Sequence, residues 1–197
     1  MNWKKTNLIA MLATSATLAL LAIALTGLLG CQSRTDRTDG GGVLLSVSQL
    51  SMPPTQFILP ADATTFTLPA ISAVTLQNVV KDPTPVSTSM LENVELNTYE
   101  VTYSRADTGT RVPPPLVQNF GGVVPVNGTL LISNLNVLSN NQVSSLPISD
   151  IAQFGSDRET NSTIIVLNVS IRFFGKTLSG QAVQTTPSGF TMEVFRQ

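Results

Sequence analysis

An alternation of apolar and polar side chains at residues 163–174, clearest from Leu167 to Phe173, constrains the fold more than any other feature of this sequence. A period of two residues is typical of a β-strand that buries one face and exposes the other. The segment therefore predicts a half-buried strand, which needs partner strands to satisfy its backbone hydrogen-bonding groups. Its buried face is predicted to carry Ile165, Leu167, Val169, Ile171 and Phe173.

Patterns of the same period recur in other parts of the chain. Phe190, Met192 and Val194 predict a final strand that pairs with an earlier one. Within residues 94–103 the alternation changes parity at Asn97-Thr98, which predicts a β-bulge that keeps both apolar sets on one face. Shorter patterns predict strands at 43–50, 64–68, 71–80 and 128–137, and a turn or two of helix at 149–154 that ends at Gly155.

About seven short strands separated by proline and glycine predict an all-β fold, an antiparallel β-sandwich that spans residues 43–197 as a single domain. A small β-barrel is the alternative. The sequence Tyr-Glu-Val-Thr-Tyr at 99–103, with Gly109 after it, resembles the third strand and following turn of fibronectin type III domains. This resemblance implies an immunoglobulin-like sandwich, although the tryptophan that such domains often carry early in the fold is absent.

The first thirty residues have the layout of an export signal. Lys4 and Lys5 precede an uncharged apolar run at 7–30, which predicts a helical signal peptide that directs the rest of the chain across a membrane. The run is also long enough to span a bilayer, so an uncleaved transmembrane anchor is the alternative.

The run ends in Leu28-Leu29-Gly30-Cys31, which resembles the lipobox of bacterial lipoproteins. The resemblance implies cleavage between Gly30 and Cys31 and a covalent diacylglycerol with further acyl (palmitate-type) chains on Cys31, the only cysteine. Gln32, where inner-membrane lipoproteins tend to carry aspartate, implies the outer membrane, with the body in the periplasm or at the surface. Residues 31–42 are polar, close on three glycines, and predict a lipidated N-terminus and flexible tether.

The chain contains no histidine, and its one cysteine is assigned to lipid. These absences exclude the serine–histidine and cysteine–histidine nucleophile systems and the usual zinc sites, and they predict a protein that is not an enzyme and has no cofactor besides its lipid. A net charge of −1 without a basic patch argues against a nucleic-acid partner. Two close carboxylate pairs, Glu92 with Glu95 and Asp157 with Glu159, suit a glycosidase by type, but beside turns they are expected to be solvated.

The candidate partner-contact loop consists of Arg111, Pro113, Pro114, Pro115 and Phe120. Its triple proline predicts either a polyproline segment for a groove-type partner or a stiff connection between strands. Phe120 and the two glycines after it predict a mobile loop or, equally, a tucked turn. Tyr99 and Tyr103 share parity with Val101, which predicts that they face the core.

Taken together, the sequence predicts a lipid-anchored, non-enzymatic binding or structural module whose partner is an unidentified envelope protein or polymer. An accessory lipoprotein of an envelope assembly or secretion complex is the first alternative. A hydrolase that uses carboxylates is the second.

Overall fold

The computed structural model describes residues 42–61, 66–81 and 89–197, and this part of the chain is mostly β. The predicted signal peptide, Cys31 and nearly all of the tether lie outside the described residues. The described strands are β1 (Val43–Ser51), β2 (Gln56–Leu59), β3 (Ala70–Val80), β4 (Val94–Arg105), β5 (Leu116–Val124), β6 (Thr129–Asn136), β7 (Ile164–Thr177), β8 (Ala182–Gln184) and β9 (Ser188–Arg196). The helices are α1 (Asn140–Val143) and α2 (Ile148–Phe154), with a 3-10 turn at Met90–Glu92.

These strands form two sheets. The first is antiparallel, with the order β1-β3-β6. The second has the order β2-β9-β7-β4-β5, with β8 paired to the end of β7, and it curls into a half-barrel whose β5 approaches β6 of the first sheet. Because β2 runs parallel to β9, the second sheet is mixed, and the prediction of purely antiparallel pairing is wrong at this edge.

The predicted central strands are confirmed. All five apolar side chains of the alternating segment in β7 are at most 1% exposed. The β-bulge in β4 is also confirmed, since the ladders to β5 and β7 both shift register between Leu96 and Thr98. As a result the buried side chains of β4 stay on one face across the shift, and they are Val94, Leu96, Tyr99, Val101 and Tyr103.

Several predicted boundaries differ from the structure. Residues 66–68 are not a strand, whereas β2 and β5 are strands that the pattern did not predict. The predicted helix begins at Ile148, one residue early, and ends as expected at Gly155, which adopts a left-handed φ of 74°. β2 has only four residues, and β5 contains two adjacent glycines, so neither carries a readable alternation.

The two ends of the paired sheets carry different groups of residues. The entry end, where the described chain begins, holds Val43 beside Val80 and Val94 beside Thr177. The two sheets are joined there by Asn78, whose side-chain amide donates to the carbonyl of Glu92 at 3.0 Å.

The opposite end, the loop end, holds Arg105, the start of β5 and the start of β7. The two buried tyrosines of β4 join the sheets toward this end. The Tyr103 hydroxyl donates to the carbonyl of Val137 at 2.6 Å, and the Tyr99 hydroxyl lies 3.1 Å from the carbonyl of Asn136. Burial raises the pKa of Tyr99 to about 12, so both side chains remain neutral donors. The prediction that these tyrosines face the core is confirmed.

Candidate functional site

Charged side chains that are distant in the sequence meet at the loop end. They come from the end of β4, from the connection between β4 and β5, and from α2 with the connection after it. We call this set the charged cluster, and its members are Arg105, Asp107, Arg111, Asp150, Asp157, Arg158 and Glu159.

The centre of the charged cluster is the guanidinium of Arg105. Its Nε lies 2.6 Å from Asp107 Oδ1, and its Nη2 lies 2.9 Å from both Asp107 Oδ2 and Asp157 Oδ2. The Arg105 side chain is 3% exposed and that of Asp157 is 0% exposed. Charged groups shielded from water to this degree are stable only when they are paired and hydrogen-bonded, and all three are.

Both carboxylates also accept hydrogen bonds from the two connections. Asp107 accepts from the backbone N–H groups of Gly109 and Val166, each at 3.0 Å. Asp157 accepts from the Thr160 hydroxyl at 2.8 Å and from the Glu159 N–H at 3.2 Å. The arginine and its two partners therefore fix the paths of both connections at the loop end.

The pKa values of these groups result from this arrangement. Burial by itself would raise the pKa of Asp157, but the hydrogen bonds from Arg105, Thr160 and the Glu159 N–H outweigh it, and the pKa lies below its ordinary value. The same balance lowers the pKa of Asp107, where Arg105 and two backbone N–H groups oppose burial. Both carboxylates are therefore ionised at neutral pH.

The connection between β4 and β5 is held at further points. Glu159 accepts from the Thr110 hydroxyl at 2.5 Å, the Thr110 N–H at 2.9 Å and the Arg111 N–H at 3.0 Å, and these bonds lower its pKa. Gln142 of α1 donates to the carbonyls of Pro114 and Pro115 at 3.4 and 3.3 Å. The segment is thus bound to the body just before its triple proline and again at the second and third prolines.

The residues predicted to contact a partner fall into two groups. Arg111, Pro114 and Pro115 are exposed on this fixed connection, whereas Pro113 is buried beneath it. Phe120 lies within β5 and is half-buried, so the prediction of a mobile loop at Phe120 and the following glycines is wrong. Three of the five predicted contact residues are therefore exposed together on one connection, whereas Pro113 and Phe120 do not belong to that exposed surface.

The two carboxylate pairs noted in the sequence lie in different environments. Glu95 is exposed and Glu92 half-buried, beside the entry end. Asp157, in contrast, is fully buried against Arg105, so the expectation that this carboxylate is solvated is wrong. A general acid needs a raised pKa, and the pKa values of Asp157 and Glu159 are both lowered.

Residues 42–61, 66–81 and 89–197 hold no group of three or more acidic, histidine or cysteine side chains that could bind a metal ion. In the same ranges no helix is long and apolar enough to cross a bilayer.

Comparison with known proteins adds no relative. No protein-family model matches the chain, and no curated protein matches it in sequence. The function is therefore inferred from the loop end and from the N-terminal sequence.

Proposed function

We propose that this protein is a lipid-anchored, non-enzymatic binding module of the bacterial envelope. Its anchor is the acylated Cys31, its location is the outer membrane, and its partner is an envelope protein or polymer that contacts the loop end. One observation carries the proposal. The exposed residues Arg111, Pro114 and Pro115 lie on a connection fixed at the loop end, opposite to the end at which the described chain begins with Gly42.

This position suits a tethered receptor. A body held through residues 31–42 would carry the loop end on the side opposite to its point of attachment at Gly42, where an envelope partner can reach it. A connection already fixed by Glu159 and Gln142 loses little conformational entropy on binding, which favours affinity. Loops on a rigid β-scaffold are the usual place for recognition.

The order of the strands supports an immunoglobulin-like sandwich of the fibronectin type III kind. Such domains set three strands, the first, second and fifth of the fold, against a sheet that contains the third, sixth and seventh. Here β1, β3 and β6 form one sheet, and β5, β4, β7 and β9 are neighbours in the other. In this assignment β4 is the third strand, as the likeness at 99–103 implies, and β2 is an edge segment added to β9.

A non-enzymatic role is supported by the use of the two carboxylates beside Arg105. Asp107 and Asp157 are both engaged by Arg105 and by backbone donors, and their lowered pKa values suit structural ion pairs. Without histidine, the chain lacks the most frequent general base.

The anchor is tested by the variant Cys31→Ser. It is expected to abolish acylation and the cleavage that depends on it, so that mass spectrometry of the membrane extract finds residues 1–30 still attached. The unaltered protein is expected to begin at an acylated Cys31 and to resist extraction by high salt, since two or more chains anchor stably. An intact Met1 with an unmodified Cys31 in the unaltered protein would contradict the anchor, and Ser33→Ala serves as the neutral control.

The contact surface is tested by photo-crosslinking in intact cells. A photoreactive amino acid at Val112 or Pro114, both exposed on the fixed connection, is expected to give a covalent adduct with an envelope component. The control position is Leu131 on β6, which is 63% exposed on the other sheet and away from the loop end. Recovery of monomer alone from all three positions, or an equal adduct at Leu131, would count against the proposal.

A further inference from the structure

Two exposed arginines of the charged cluster are left with open hydrogen-bond donors. Arg111 Nη1 lies 3.9 Å from Asp150 Oδ2, and Arg158 Nε lies 3.7 Å from Asp150 Oδ1, so neither reaches hydrogen-bond distance. Their side chains are 48% and 60% exposed. Among the described residues, neither guanidinium donates a hydrogen bond.

Asp150 is the carboxylate that lies near both arginines. Its side chain is only 6% exposed, and its Oδ2 has no hydrogen-bond partner among the described residues. A buried carboxylate oxygen left in this state is unusual and needs an explanation. Here Asp150 lies near both arginines without a hydrogen bond to either, so their N–H donors stay open on side chains that are exposed to solvent.

Each arginine has an exposed apolar residue as a neighbour, Phe154 by contact with Arg158 and Val112 by its position next to Arg111 in the chain. The guanidinium of Arg158 lies over the ring of Phe154, 3.9 Å from its centroid, and Phe154 is 52% exposed. Val112, next to Arg111 in the chain, is 41% exposed. Arginine is one of the residue types enriched at the energetic centres of protein–protein interfaces.

We propose that Arg111 and Arg158, supported by Asp150 and Phe154, bind a single carboxylate that a protein partner presents beside apolar side chains. This inference rests on the proposed function and names the chemistry of its partner. Guanidinium groups recognise carboxylates through paired N–H donors, which both arginines have free.

The charge balance excludes a polyanion as the preferred ligand. The cluster contains three arginines and four carboxylates, so a phosphate-rich or polyuronate ligand would meet net repulsion. A single carboxylate bound to a guanidinium group avoids most of this repulsion. A sugar ring, moreover, stacks on an open aromatic face, and one face of Phe154 is covered by Arg158.

The test uses the lipidated full-length protein, labelled with nitrogen-15 in arginine, in detergent micelles. The probe is a tripeptide amide with glutamate between two leucines, and the control peptide carries glutamine in place of the glutamate. We expect the glutamate peptide to shift the Nε–H signals of Arg111 and Arg158 but not that of buried Arg105. We also expect it to bind about tenfold more tightly than the control peptide. Equal binding of the two peptides, or stronger binding of polygalacturonate at the same signals, would overturn the inference.

Variants provide the second readout. Arg158→Ala and Arg111→Ala are each expected to weaken the glutamate peptide about tenfold, to the level of the glutamine peptide. Arg172→Ala on β7, distant from the loop end, is expected to leave binding unchanged. In cells, adducts at Pro114 that persist in the double arginine variant would contradict this inference and leave the proposed function intact. The absence of adducts at every loop position would contradict both this inference and the proposed function.

Discussion

Replacing Arg105 by methionine is expected to destabilise the protein by about 3 kcal/mol. Loss of one partner from a buried ion pair typically costs about 3–5 kcal/mol, because the remaining charge is left buried without compensation. In this protein two carboxylates, Asp107 and Asp157, would lose their guanidinium together. The group lies close beneath the surface, where solvent still screens it in part, so we place the expected loss at the lower end of the range.

Urea unfolding of the two proteins at pH 7 measures this loss directly. The matched control is Arg172→Met on β7, a half-buried arginine outside the charged cluster, for which we expect a loss below about 1 kcal/mol. Adding Asp157→Asn to Arg105→Met is expected to restore part of the stability by removing the uncompensated charge. Equal losses for Arg105→Met and Arg172→Met would show that the buried pairs contribute nothing specific.

The effect of pH has a definite sign. The folded-state pKa values of Asp107 and Asp157 lie below their unfolded values, so each carboxylate contributes stability that is fully present above about pH 4 and is lost as the pH falls through the folded-state values. The lowering depends on Arg105. We therefore expect the difference between wild type and Arg105→Met to be largest at neutral pH and to shrink in acid. A difference that stays constant from pH 7 to pH 3 would contradict this.

The sequence predicted the strands whose two faces have different environments. In β7 and β4 one face is buried and the other exposed, so the period of two is visible, and even the bulge in β4 appears as a change of parity. β5 lies at the edge of its sheet, and its burial also alternates, but exposed positions carry Val117, Gly121 and Val123, so the sequence shows no apolar–polar contrast. β2 depends on a four-residue parallel pairing with the last strand of the chain, which no local pattern records.

The charged cluster could be predicted only in part. Arg105 follows Tyr103 by two residues and so lies on the core face of β4, a signal that a buried charge is present. Its partner Asp157 comes 52 residues later, after two helices. The pairing arises because α2 ends at Gly155 and the chain returns into β7 beside β4, which is a tertiary effect. The same return brings Arg158 to Asp150 and Phe154.

The largest loss from a single core substitution is expected at Phe173. This side chain is 0% exposed, lies opposite Tyr99 in the ladder between β4 and β7, and packs against its ring at a centroid distance of 5.9 Å. Phe173→Ala removes a buried aromatic ring and leaves a cavity, at an expected cost of about 3–5 kcal/mol.

The same substitution at Phe154 is its matched control. That ring is 52% exposed and makes a cation–π contact with Arg158, so Phe154→Ala is expected to cost at most about 1 kcal/mol of folding stability. Urea unfolding compares the stabilities of the two variants. Titration with the glutamate tripeptide then separates their roles. Phe154→Ala should weaken binding of the tripeptide, whereas Phe173→Ala, under conditions in which it remains folded, should not. A loss of stability at Phe154 equal to that at Phe173 would mean that Phe154 belongs to the core, and that the surface beside the two arginines is not free for a partner.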